Sequence, residues 1–489
     1  MPRQLATLLC IALIAFLVRR ARDPFAQVSA ARWIVFAWVF LAGSRFLSHW
    51  LSIVGLRWSG GATAADGSPI DMAAFALLIM AATAALVGRD IRWRHLLGNN
   101  KVLLALYVFG LFSVFWSPDP IVALKRWIKS VGTLWIACLV LTDRRPWQAL
   151  RSVVVPLGLV LLPLSILFIK YYPELGRQYH STGAQMMTGV TMQKNSLGEL
   201  CMLVGLYASW NLLHLRTGED GLGRRLRWPV WMALAGMIGW LMIMADSATA
   251  LVCLLAGIGI HLLACVPAIR RRPASLAAVL FVGTSGYLIL QASVDVNTLL
   301  LELLNRRPDL TTRVPMWQDI LAVASNTLTG FGWQSFTLTP QHHQIYDKWQ
   351  VVSVHNTYLD LYLNLGLIGL GLYLAVWLTG MWTSVRMLSL EYAPAVLRIS
   401  FLVVVLLYGW TETVDLGVSN MYLLLLLATV THGSIEKAKE QGGVRRVSLK
   451  GRHDSGTALV GRLGRRRQPR RPYMLQVPVV RGGSEPAKD

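Results

Sequence analysis

Long apolar runs alternate with short polar connections along almost the whole chain. Candidate spans centre near residues 12, 44, 80, 108, 135, 161, 205, 237, 257, 283, 371, 403 and 425. Most are about 17 to 25 residues long, the length a helix needs to cross roughly 30 Å of hydrocarbon. The pattern predicts about 12 or 13 crossings. All should be helical, because a backbone in lipid must satisfy its own hydrogen bonds. Four regions follow: spans over residues 1–292, a long polar segment over 293–356, further spans over 357–435, and a tail over 436–489. The first run, about Leu5 to Val18, lacks a small-residue cleavage site before "RRARDPF" and reads as a short span rather than a signal peptide.

Composition sharpens this into a fold class. With 54% of 489 residues hydrophobic and 19 tryptophans, the chain reads as an all-α polytopic membrane protein without a sizeable water-soluble core. Cys10, Cys138, Cys201, Cys253 and Cys265 all fall in apolar runs, so they indicate packing rather than a disulfide framework or a zinc site.

Charge sets an orientation. The loops "RRARDP", "RDIRWRH", "TDRRP", "RTGEDGLGRRLR", "IRRRP" and "SVRM" occupy every second connection, and the positive-inside rule assigns them to the cytoplasm. The tail belongs with them: it carries 14 Lys/Arg against 5 Asp/Glu, 9 of the formal +22. Its Gly/Arg/Pro richness suggests disorder and contact with anionic lipid. A nucleic-acid partner is not indicated, since no aromatic interleaving or folded module accompanies the charge. The remaining loops then face outward, to the periplasm of a Gram-negative cell, and several carry polar or charged residues close to a span end. Ionisable groups at membrane depth are costly, which makes them functional candidates.

The stretch 293–356 is long enough for structure of its own. "TTRVPMWQDILAVASN" predicts an amphipathic helix, with Pro315 in the first turn and Trp317, Ile320, Leu321 and Ala324 on one face. Such a helix would lie on the bilayer surface or cap the spans. Arg313 sits near its start, where the helix dipole favours an anion and the planar guanidinium suits phosphate oxygens. The plainer reading of Arg313 is snorkelling to lipid phosphate or pairing with Asp309 or Asp319; Arg306 and Arg307 fit an ordinary solvated turn.

His355, at the head of "HNTYLDLYLNLGLIG", can accept a proton near neutral pH or simply end the span. Asn356 is either its hydrogen-bond partner or an N-cap of the next helix. Lys194 in "TMQKNSLGEL" is a candidate anion ligand or a snorkelling cation followed by an Asn cap. Glu412 in "GWTETVD" either orients a basic partner or caps a helix. No Asp-x-Asp pair, HExxH motif or Walker-type cradle occurs, so neither a metal nor a cofactor is expected. Cations and one histidine at one face suit an anionic lipid-linked substrate and an alcohol acceptor.

Several ordered pieces resemble the bacterial O-antigen ligase and polymerase superfamily, including exopolysaccharide polymerases. They are "FSVFWSPDPIVALKRWI", "KNSLGEL", "TTRVPMWQDILAVASNTLTGFGWQSF", "VHNTYLDLYLNLGLIGLGLYL" and "WTETV", together spanning roughly residues 105–430. The resemblance implies a GT-C-like helical enzyme that moves a glycan from undecaprenyl diphosphate to an acceptor hydroxyl on a glycan or lipid, without metal. It makes His355 the general base and Arg313 the diphosphate ligand. Such ligases often carry a second arginine where an outer turn meets the ninth span. Here "MADSATALV" offers Asp246, Ser247 and Thr249 instead, leaving Lys194 or Arg126 as the second cation. The rival class is a transporter such as a lipid-glycan flippase, which would show internal repeats and midplane broken helices; no repeat is evident. A scaffold without activity would leave the outer cations without a task.

Overall fold

The computed structural model describes residues 1–21, 28–56, 68–179, 183, 185–214, 223–294, 310–324 and 326–432. The basic tail, together with Arg306, Arg307 and Asp309, lies outside the described residues. The N-terminal helices are α1 (Arg3–Ala21), α2 (Arg32–Ala42), α3 (Leu47–Ile53), α4 (Pro69–Val87), α5 (Trp93–Asn99), α6 (Lys101–Ser113), α7 (Pro120–Leu141), α8 (Pro146–Tyr171) and α9 (Pro173–Gly176). A small antiparallel hairpin of β1 (Arg177–Tyr179) and β2 (Gln185–Met187) follows. Next come α10 (Lys194–His214), α11 (Gly223–Ala245), α12 (Ala248–Cys265), α13 (Pro267–Arg271) and α14 (Ala274–Val294). The chain continues with α15 (Leu310–Ala322), α16 (Pro340–Trp349), α17 (Thr357–Met387), α18 (Tyr392–Thr411) and α19 (Asn420–Thr429).

The protein is an all-α polytopic membrane protein. Among the described residues eight helices, α1, α4, α8, α10, α11, α12, α17 and α18, are long and apolar enough to cross a membrane. Two sharply bent pairs, α2 with α3 at 74° and α5 with α6 at 87°, raise the number to ten. The sequence expectation of 12 or 13 exceeds this for local reasons. Helix α7 is long enough but carries Lys125, Arg126 and Lys129, α19 has only 10 residues, and the short apolar helix within α14 covers Ala274–Gly283. Of the five cysteines, Cys138, Cys201 and Cys253 are buried packing residues, as expected, whereas Cys265 is exposed; all five are free.

Contacts tie the connections into two opposite sets. At one end Arg89 pairs with Asp143 at 3.6 Å, the Ser29 amide also donates to Asp143, and Tyr392 Oη donates to the Ala264 carbonyl. These involve five basic or flanking connections: the first three residues join those after α1, α4 and α7, and the last two join those after α12 and α17. At the other end Arg3 meets Glu174 at 3.1 Å, while Arg45 donates to the carbonyls of Leu175, Gly189, Val190 and Thr191. Helix α10 starts at that second end, and α12, α17 and the turn after α18 come to it as well.

The segment after α15 re-enters the bundle. Helix α17 breaks at Gly366, about 15 Å from its start at 1.5 Å per residue, where φ is 64° and ψ −166°. The break frees backbone groups that cost several kcal/mol each if left unpaired in hydrocarbon. Residues 327–332 satisfy them: Phe331 N and Gly332 N donate to Leu363 O and Asn364 O at 2.9 and 2.8 Å, while Leu367 N and Ile368 N donate to Thr327 O and Leu328 O. A Cβ on Gly366 would lie 2.1 Å from the Leu328 backbone, so only glycine permits this approach. Trp333 then inserts fully buried beside α6, its ring against Gly110 and its Nε1–H on Ser130 Oγ at 3.2 Å.

Helices α15 and α16 form a cap around Met316, Ile320, Phe336, Ile345, Val354 and Leu363. Two sequence expectations change here. The helix already runs from Leu310, so Pro315 lies inside it rather than in the first turn. The buried face is centred on Met316 and Ile320, and Leu321, about 100° further round, is 51% exposed.

Candidate active site

The Glu412 carboxylate, at the end of α18, is the hub of a polar cluster. Its Oε2 accepts from His355 Nδ1 at 3.1 Å, and its Oε1 accepts from Arg313 Nη2 at 3.3 Å and from Asn195 Nδ2 at 2.9 Å. Arg313 Nη1 also donates to the Thr411 carbonyl. A carboxylate this enclosed needs such partners. Side-chain exposure rises outward, from 9% for Glu412 to 18% for Arg313 and 27% for His355. The carboxylate is therefore internal, while the guanidinium and imidazole are reachable. Of the two partners the sequence offers Arg313, Asp309 lies outside the described residues, and Asp319 takes Lys348 at 2.7 Å and Trp349 Nε1 at 2.9 Å instead. Those two donors hold the Asp319 carboxyl below its ordinary value.

Because Nδ1 faces a carboxylate it carries the proton, which leaves the Nε2 lone pair of His355 available. His355 is itself in the left-handed region at φ 52°. All four non-glycine residues at positive φ among those described, Asp246, Gln334, Gln350 and His355, belong to this end of the molecule or its cap. Backbone held there costs about 1 to 3 kcal/mol per residue and persists only where surroundings dictate it. The surroundings are explicit. Trp317 Nε1 donates to Val354 O at 2.9 Å, the His355 amide donates to Ser353 Oγ, and Ser353 Oγ donates to Thr413 Oγ1. Thr357 Oγ1 donates to Glu412 O at 2.9 Å and accepts from Val414 N at 2.8 Å, stitching the start of α17 to the turn after α18.

The other sequence candidates separate. The Asn356 carboxamide makes no hydrogen bond to His355. Its Oδ1 caps α17 by accepting from Tyr358 N and Leu359 N, and its Nδ2 donates to Trp410 O, so the whole carboxamide is structural. Lys194 is the first residue of α10, partly buried, with no hydrogen-bond or ion-pair partner among the described residues. Asn195, read from sequence as a cap, is inside that first turn and reaches Glu412 instead. Arg126 is in the helical part of α7 and donates to Gln334 O and Thr337 Oγ1. It fastens the re-entrant segment rather than joining the Glu412 cluster. Among the described residues no three His, Cys, Asp or Glu side chains converge as metal ligands.

Comparison with known proteins adds an independent finding. The profile of the O-antigen ligase family matches residues 230–374, the stretch that contains both Arg313 and His355. The chain is also 28% identical, over 320 residues, to the exopolysaccharide production protein ExoQ of Rhizobium meliloti (strain 1021), an alignment covering 61% of this chain and 69% of that one. Over these stretches the chain is similar to O-antigen ligases and to an exopolysaccharide production protein.

The turn between α11 and α12, where the sequence lacks a second arginine, packs directly on the cluster. Thr249 Oγ1 is 2.7 Å from Thr411 Oγ1, and Ser247 is buried so close to α10 that a Cβ on Gly198 would lie 2.8 Å from it. Hydroxyls stand there instead of a cation. Sequence reasoning missed Asn195 because an Asn after a Lys at a helix start is an ordinary cap signal; only packing of α10 on α18 turns it toward Glu412.

Proposed function

We propose that the chain catalyses metal-independent, inverting transfer of a glycan from undecaprenyl diphosphate to an acceptor hydroxyl, at the periplasmic face of the inner membrane. The observation that carries this reading is one carboxylate, Glu412, holding a reachable arginine on one oxygen and a reachable histidine on the other. Arg313 keeps guanidinium donors beyond its bonds to Thr411 and Glu412 and binds the diphosphate, with Lys194 as the second cation. Arg126, whose bonds go to the re-entrant segment, is the less suited of the two sequence candidates for that role.

In the reaction, the acceptor oxygen bonds to the sugar C1 as the C1–O bond to diphosphate breaks and its electron pair stays on the leaving group. The acceptor proton passes to His355 Nε2. Glu412 stabilises the imidazolium through Nδ1–H, and Arg313 and Lys194 stabilise the charge growing on the leaving group. The acceptor is a second glycan chain in a polymerase and a lipid or core glycan in a ligase. Basic loops gathered opposite the site support the periplasmic assignment.

The test is transfer in lipid nanodiscs with a synthetic undecaprenyl diphosphate-linked oligosaccharide and a glycan acceptor. Wild type should lengthen or attach the chain and His355→Ala should not; full transfer by His355→Ala would remove the assignment. Deleting the gene then separates the two acceptors: loss of long surface chains indicates polymerisation, and intact chains stranded on carrier indicate ligation.

The break in α17 is the feature that favours transport, since broken helices line many transporter sites. Its freed backbone groups are, however, bonded to residues 327–332 rather than open to a cavity. Single cysteines at positions 194, 313 and 355 should label from outside only; two-sided labelling would favour transport.

A further inference from the structure

Among the described residues Glu412 has three side-chain donors, and they differ in what they can do during a reaction. His355 is the base, and Arg313 is charged and reachable from outside. Asn195 is neither charged nor titratable, and it makes the shortest of the three bonds, 2.9 Å to the same Oε1 that Arg313 reaches at 3.3 Å. It comes from a different part of the molecule. Arg313 belongs to the cap, whereas Asn195 is anchored in α10, one of the most enclosed helices of the bundle, immediately after Lys194.

We infer that Asn195 is a positioning residue that holds Glu412 against His355 when Arg313 turns to the donor's diphosphate. This rests on the function proposed above. A diphosphate binding Arg313 competes with Glu412 for the same guanidinium. With Arg313 as the sole partner on Oε1, donor binding would free that oxygen, and the carboxylate would lose the orientation that aims Oε2 at Nδ1. A fixed, neutral donor removes this conflict. It keeps the carboxylate in place without cancelling the negative charge that stabilises the imidazolium. A lysine or arginine at position 195 would cancel that charge; an aliphatic residue would leave the oxygen unheld.

The charged and titratable groups around Glu412 include Arg313 from α15, His355 before α17, Glu199 one turn below Asn195 on α10 and Tyr408 one turn below Glu412 on α18, with Lys194 beside Asn195 and Asp246 in the turn before α12 at the same end. Tyr408 Oη also donates to Glu199 Oε2 at 3.4 Å, so a second polar rung lies beneath the first. Asn195 is therefore the one non-titrating side chain of the upper rung, and replacing it with a carboxylate changes the local charge by one.

The experiment uses the full chain in nanodiscs. Asn195→Ala should lower turnover about 10- to 100-fold, as expected for losing a hydrogen bond to a charged group. Binding of undecaprenyl diphosphate, read by tryptophan quenching, should change less than threefold, as roughly follows from an intact Arg313 and Lys194. Asn195→Asp places a second carboxylate beside Glu412 and favours protonated His355, so the rise of rate with pH should move to higher pH. Asn195→Gln, which can still donate, should recover part of the loss. A merely structural role would lower the folded yield of the variants and leave the pH profile of the surviving enzyme where it was. Wild-type turnover in Asn195→Ala, or an unmoved profile in Asn195→Asp, would overturn the inference. If wild type itself transfers no glycan, the failure belongs to the proposed function instead.

Discussion

Two arginines meet the same short turn after α18 and do opposite things. Arg313 approaches Glu412 at the near side of the turn, shares that carboxylate with His355 and retains unspent donors. Arg126 approaches from α7 on the far side, where Gln334 Nε2 bonds Asp415 and Arg126 itself binds Gln334 O and Thr337 Oγ1. One cation shares a carboxylate with a histidine; the other fastens a loop. By residue type they are equivalent, and what separates them is what already occupies their hydrogen-bond donors. An arginine whose bonds go to the carbonyl and hydroxyl groups of a loop, as those of Arg126 Nη1 do, acts as an anchor, whatever its position in the sequence.

Substitutions test that contrast, beginning with the largest effect. His355→Ala should reduce glycan transfer about 10²- to 10⁴-fold, the usual cost of losing a general base, with folded yield by size-exclusion chromatography unchanged. Arg313→Ala should cost about 10²- to 10³-fold in turnover, and Arg313→Lys should recover only part because a lysine cannot present a planar fork. Gly366→Ala should instead act on folding. A Cβ directed at the Leu328 backbone from a residue at φ 64° must displace the re-entrant segment, lowering stability by about 3 kcal/mol or more in a thermal melt. Arg126→Ala should cost about 1 to 3 kcal/mol of stability while activity per folded molecule stays within about threefold of wild type. A large loss of turnover in Arg126→Ala at unchanged stability would erase the distinction between the two arginines.

The smallest expected effect concerns the cap. His342 Nε2 donates to Val352 O at 3.1 Å, and burial holds the imidazole below its ordinary value. A histidine depressed on folding binds more protons in the unfolded state, so its contribution is full above about pH 6.5 and declines as pH falls. Hydrogen-exchange protection factors across residues 340–352, which divide out the intrinsic slowing of amide exchange in acid, should therefore fall between pH 7 and pH 5. Protection that rises on acidification would contradict the sign.

The fold class was legible because span formation is a local property: apolar length and helical hydrogen bonding decide it within about 20 residues. Thirteen centres were visible, yet charge on α7 and shortness of α19 keep them from passing as free-standing spans, since those helices rely on neighbours rather than on lipid. Arg313 and His355 were legible as candidates through their placement in polar stretches at span ends and through family resemblance. The other contacts of the cluster were not. Asn356 and Asn195 are both asparagines at the start of an apolar helix; one caps its own helix and the other crosses to Glu412.

By itself, then, the sequence determined that this is a polytopic helical protein with basic and polar connections alternating along it, and it marked the histidine and the arginines. Tertiary structure alone decided which polar groups share a partner: that residues 195, 313, 355 and 412 converge, that Arg126 is spent on a loop, and that α17 breaks at Gly366 to receive that loop. The physical reason is range. Hydrophobic period and helix caps act over a few residues of chain, whereas a hydrogen bond between residues 217 positions apart exists only once the intervening helices have packed.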